Sequence, residues 1–125
     1  LHMTARDFLR LGQVLLHEGR AGDEEVVSRA YFHQMITANA SVVLFREGTW
    51  KPNAWYGFQI WRTKVGNVVV IQPNGIFGQV VLVLPQWQMV IVRLGFDLSL
   101  TKFEIVERMV TDVVLAMQRE FQLQA

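Results

Sequence analysis

The sequence predicts an α+β unit in which an antiparallel sheet is flanked by helices. Three observations carry that expectation. A stretch near each end opens with a capping signature and continues with apolar residues at helical spacing. Between them, residues 55 to 95 hold four short apolar runs parted by turn residues. Three of those runs are continuously apolar instead of alternating, which is the pattern of a sheet covered on both faces.

The first helix is expected in "TARDFLRLGQVLLHEGRAG". Thr4 is the N-cap and Asp7 completes a capping box. Phe8, Leu11, Leu15 and Leu16 share a face, and Gly19 is the stop. After an acidic turn at Asp23 to Glu25, Ser28 caps a shorter helix reaching Ile36, with Tyr31, Met35 and Ile36 on its buried side. From Thr37 to Asn53 no period holds, which reads as a long irregular connection.

The strands expected next are "WYGFQIWR" (55 to 62), "NVVVIQ" (67 to 72), "QVVLVLP" (79 to 85) and "MVIVRLG" (89 to 95). Turns at Lys64 to Gly66, Asn74 to Gly78 and Gln86 to Gln88 are short enough to make neighbouring strands antiparallel in sequence order. A second capping box, Thr101 with Glu104, opens a long helix. Its stripe of Ile105, Val106, Met109, Val110, Val113, Val114, Met117 and Phe121 should lie across one face of the sheet. The helix from Thr4 should sit away from the strands that carry a site.

The 125 residues fit a single unit spanning the chain, without repeat, linker or low-complexity stretch. Formal net charge is +1 with scattered Lys and Arg, so there is no electrostatic footprint for nucleic acid or an anionic membrane. No apolar run reaches the ~20 residues a bilayer demands. There are no cysteines, which removes disulfides and thiolate chemistry and leaves the compartment open. His2, His17 and His33 are too scattered for a metal site, and nothing points to a cofactor.

Hydrophobic residues make up 51% and charged ones 18%, a greasy balance for this length. Self-association, or pairing with another segment, is therefore expected. The chain also starts at Leu1, directly before a helix signal, which reads as a cut inside something longer.

The segment "QPNGIFGQVVLVLP" (72 to 85) raises the functional question, because it places Asn-Gly and a second glycine directly before a buried strand. One reading is a tight Asn-Gly hairpin turn with no chemistry. The other is a backbone that something must approach closely.

Taken in order, "MTARDFLRLGQVLLHEGR", "AWYGFQIW", "NGIFGQVVLVLPQWQMVIVRLG" and the terminal amphipathic helix resemble the C-terminal part of the serine β-lactamase-like hydrolases. That family includes class C β-lactamases, penicillin-binding-protein-like esterases and 6-aminohexanoate-dimer hydrolases. The resemblance covers nearly the whole chain and implies the C-terminal portion of the β-lactamase/transpeptidase-like fold. It implies hydrolysis of a small ester, amide or lactam through an acyl-enzyme.

It also implies that Gly75 takes the place of the glycine in the family's Lys-Thr-Gly motif and that Ile76 donates the oxyanion N–H. Pro73 and Asn74 would occupy the Lys and Thr positions. That departure removes the side chains that hold a penicillin or cephalosporin carboxylate. Asn74, Trp55 and Tyr56 are the candidate substrate contacts.

The family's Ser-x-x-Lys nucleophile and Tyr-x-Asn motifs are absent from their expected places, so the chain is expected to be inactive alone. "SLTK" at Ser99 to Lys102 has the right spacing but follows the last strand, where a turn and helix cap is the better reading. Neither Tyr31 nor Tyr56 begins a Tyr-x-Asn. Asn39-Ala40-Ser41 matches a glycosylation sequon, which matters only in a secretory setting. The competing class is a non-catalytic α+β interaction module that associates through a sheet edge and an apolar face.

Overall fold

The computed structural model describes residues 2–37, 54–75, 78–96 and 102–123, with backbone alone at 54, 55, 102–107 and 123. Thr101, Ser99, the sequon and nearly all of the irregular connection lie outside these residues. Helix α1 runs Ala5–Leu16. Its capping box is complete: Asp7 N donates to Thr4 Oγ1 at 3.2 Å, and Thr4 N and Oγ1 donate to Asp7 Oδ2 at 3.0 and 2.7 Å. The hydrogen bond from the Thr4 side chain, then that from its backbone, hold the Asp7 carboxyl below its ordinary pKa.

At the other end Glu18, not Gly19, takes the left-handed position, with φ 54°. Its N–H donates to the Leu15 carbonyl and that of Gly19 to Val14, which is a Schellman ending. Gly19 follows with φ 97°, where a Cβ would strike the Val27 carbonyl. The chain then makes a small hairpin, β1 Arg20–Ala21 with β2 Glu24–Glu25, where the sequence suggested only a turn. Helix α2, Arg29–Ile36, is capped by Ser28, whose Oγ accepts from Tyr31 N at 3.2 Å.

The main sheet has five antiparallel strands in sequence order, β3 Ala54–Gly57, β4 Ile60–Val65, β5 Val68–Gln72, β6 Val80–Leu84 and β7 Met89–Arg93. The single strand expected over 55 to 62 is in fact a hairpin. Phe58 and Gln59 turn it with φ 46° and 64°, the double left-handed pattern of a tight hairpin turn, although neither is the residue type that usually accepts it. The β6–β7 turn is a short 3₁₀ segment, Pro85–Trp87, ended by Gln88 in the left-handed region.

Both faces of the sheet carry a core. Register puts Val68, Val70, Val80, Leu82 and Leu84 on one face, where Val110 and Val114 of helix α3, Lys102–Leu123, pack on them. Ile71, Val81 and Val83 face the other way, against Leu15 of α1 and Phe32 and Met35 of α2. All five β6 residues are buried, as a strand between two helical layers must be. Each such side chain contributes about 1.5–3 kcal/mol by leaving water.

Three expectations are corrected here. Leu11 points outward, and Gly12 takes its place against the sheet. Phe32 is buried instead of Tyr31, because Phe32, Met35 and Ile36 at i, i+3 and i+4 form the stripe that meets the sheet and leave Tyr31 outside it. Helix α1 does not stand clear of the site-bearing strands but packs on β6 and β7, on the face opposite α3.

Gly12 lets α1 approach this closely, since a Cβ there would fall on the Val90 side chain and lie 3.1 Å from Val81 Cγ1. Gly12→Leu is expected to cost about 1–3 kcal/mol despite its better helix propensity, because overpacking outweighs the gain. Urea unfolding reads this directly, and a stabilised variant would mean that α1 and β7 are not in contact.

Candidate functional site

The sequence signal at Asn74 and Gly75 does not form a tight hairpin. Neither residue has positive φ, and Asn74 instead forms an antiparallel bridge with Val80, leaving residues 75 to 79 as a wide connection between β5 and β6. Its base is closed by backbone bonds: Val81 N donates to Pro73 O at 3.1 Å and Gly75 N to Gln79 O at 2.8 Å. A Cβ on Gly75 would sit 3.3 Å from Gln79 Cβ, so this glycine serves close approach to the returning strand. Gly78 is buried with φ 79°, and the Arg93 guanidinium of β7 donates to its carbonyl. Ile76 lies outside the described residues.

A polar chain runs under this connection. Gln72 ends β5 at 2% exposure, and its Nε2 donates to Thr63 Oγ1 of β4 at 2.5 Å. Asn74 Nδ2 donates to Gln72 Oε1 at 3.3 Å. The Asn74 Oδ1 is buried and has no hydrogen-bond partner. The pairings Trp61↔Gln72 and Thr63↔Val70 place the chain on the α3 face, at the strand ends away from the Pro85–Trp87 turn.

Tyr56 pairs with Trp61, and their rings lie 4.8 Å apart at 47°. Tyr56, Trp61 and Gln72 thus form one row across three strands, with Asn74 just beyond it. Trp55 pairs with Arg62 in the backbone, and its side chain lies outside the described residues. Of the candidates read from sequence, Asn74, Gly75 and Tyr56 therefore gather at one end of one face.

Sequence reasoning missed Thr63, Gln72 and Arg93, and offered Trp61 only as one of four tryptophans, with Trp50, Trp55 and Trp87, that could wall a pocket for an apolar acyl group. Gln72 and Arg93 did carry a signal, since each closes a run of otherwise apolar strand residues. A polar group there must find a partner or stay wet. Thr63 carried none, because only register brings it to Gln72.

In chemical terms the cluster offers two carboxamides, a hydroxyl, aromatic surface and backbone amides. It can orient a polar ligand, but its described residues include no carboxylate, imidazole or amine that would activate the hydroxyl. Among the described residues, no group of three or more His, Asp or Glu gathers to hold a metal ion, and no helix is long and apolar enough to cross a membrane. Neither a protein-family model nor a curated protein matches the chain.

Proposed function

We propose that this chain is the C-terminal part of a serine β-lactamase-like hydrolase acting on an ester, amide or lactam. The observation that carries the reading is the wide connection between β5 and β6, braced at both ends, at the rim of a sheet covered on both faces. Its described flanks are braced: Gly75 N donates to Gln79 O, and the Arg93 guanidinium donates to the Gly78 carbonyl. This suits a backbone N–H at Ile76 held for a developing oxyanion.

In this reading a serine from a Ser-x-x-Lys segment adds to the substrate carbonyl, and the oxygen takes up negative charge at the Ile76 N–H. The C–O or C–N bond then breaks as the alcohol or amine takes up the proton that the serine gave up, the amine of a lactam staying tethered to the acyl group, and water releases the acyl group from the serine. Gly75 shapes the approach, while its own N–H serves Gln79. Asn74, Tyr56 and Trp55 are the proposed substrate contacts, with Trp61 packed behind Tyr56. Pro73 and Asn74, in place of Lys and Thr, favour a substrate without a penicillin-type carboxylate. The test is recovery of hydrolysis when a Ser-x-x-Lys-bearing segment is supplied.

A second reading, an interaction module without catalysis, is favoured by one corner of the molecule. Phe58, 56% exposed, and Tyr31, 46% exposed, meet with ring centroids 5.4 Å apart and planes tilted by 42°, beside β3, the edge strand among the described residues. Both readings have the isolated chain associate, so it is expected to sediment as a dimer or larger and to bind a hydrophobic dye. A clean monomer that leaves the dye dark would count against each. Recovery of hydrolysis separates them.

A further inference from the structure

Pro73 interrupts the ladder at a sensitive point. It has no N–H to donate, so β5 cannot be continued toward Asn74 by its own backbone donor at that residue. The side chains on either side of it, Gln72 and Asn74, are bonded to each other across the gap. Gln72, itself buried, is in turn anchored on the half-buried Thr63 of the neighbouring strand.

The chain is not there simply to satisfy polar atoms, because its far end remains unsatisfied at Asn74 Oδ1. Turning both carboxamides over exchanges donors and acceptors along the chain and leaves Asn74 Nδ2 stranded at the same place. In either orientation its effect is geometric: it fixes the Asn74 side chain, and hence the backbone of Asn74 and Gly75, relative to β4.

We propose that Gln72 is a positioning residue: its carboxamide, anchored on Thr63, holds Asn74 and sets the backbone of Asn74 and Gly75. Its functional meaning rests on the hydrolase reading, in which the N–H of the residue after Gly75 is the oxyanion donor. Gln72 then acts through Asn74 and Gly75 without touching substrate. The bond from Gly75 N to Gln79 O is the reporter of this placement, since it is one of the two backbone bonds that make up the Asn74–Val80 bridge.

The experiment is residue-level amide hydrogen exchange on the 125-residue chain. In Gln72→Leu the Gly75 amide is expected to exchange about tenfold faster while Leu82 and Val83 stay within about twofold, the signature of a local opening. Thr63→Val, a nearly isosteric change, should give the same local increase, and Thr63→Ser, which keeps the oxygen, should restore protection. That pair carries the test if Gln72→Leu does not fold.

An unchanged Gly75 rate, or an equal rise throughout β5 and β6, would overturn the inference, the second by making the role purely structural. In an enzyme completed with a Ser-x-x-Lys segment, Gln72→Leu should lower kcat about tenfold with KM nearly unchanged. If no completed enzyme turns over, the hydrolase reading fails, and the exchange rates still decide whether Gln72 holds Asn74.

Discussion

Mixed with, or fused behind, a segment that carries Ser-x-x-Lys, the chain is expected to hydrolyse an activated ester such as a nitrophenyl acetate, and alone it is expected not to. A nucleophile and its base divide a hard acyl transfer into two easier steps. Without them only binding and oxyanion stabilisation remain, and the rate falls by several orders of magnitude. The completed enzyme then provides a test of the proposed donor. Ile76→Pro deletes one backbone N–H and should lower kcat by about 10²–10³, the loss typical of a missing oxyanion donor.

Proline also restricts the residue before it, Gly75, so circular dichroism and the melting temperature must be matched to the parent before the loss is read as chemistry. Ser99→Ala should leave the rate unchanged if "SLTK" is only a turn and cap. The reverse outcome, turnover by the chain alone that vanishes with Ser99→Ala, would make that segment the nucleophile and sink the proposed division of labour.

The largest effect on stability is expected at Leu82. It lies at 0% exposure in the middle of β6, hydrogen-bonded between β5 and β7 and set in the cluster that Val110 and Val114 of α3 complete. Leu82→Ala removes the transfer energy of the lost methyl groups and opens a cavity that strands on both sides prevent from collapsing, which places the cost at about 3–5 kcal/mol. A domain of this size holds about 5–15 kcal/mol in all, so the variant should approach the edge of folding at room temperature.

Leu115, on the outer side of α3 at 43% exposure, is the matched control, and Leu115→Ala should shift stability by less than about 0.5 kcal/mol. Urea midpoints measured under one set of conditions would compare the two. Equal effects would mean that α3 does not lie on this face of the sheet.

The helix starts were legible because their signals are local. Thr4 with Asp7, and Ser28 with Tyr31 N, make their bonds within three residues, so residue type and spacing suffice. The apolar runs of β5, β6 and β7 were legible for a related reason, since a strand between two layers needs apolar side chains in both directions. The number of strands was not. "WYGFQIWR" has the composition of one strand, yet Phe58 and Gln59 fold it into two. The Asn-Gly pair that advertises a tight turn is drawn out into a bridge with Val80.

The same division runs through the candidate site. Residue types by themselves determined the two capped helix starts, the buried strands and the prominence of Asn74 and Gly75. Only the tertiary structure decided that Phe32 and not Tyr31 enters the core, and that Thr63, Gln72 and Asn74 form one chain beneath the connection. The reason is physical. Caps and apolar runs are settled by neighbours a few residues away, whereas turn conformation and side-chain partners across strands follow from register. Register is set by the simultaneous burial of both faces of the sheet, which no single stretch of the chain contains.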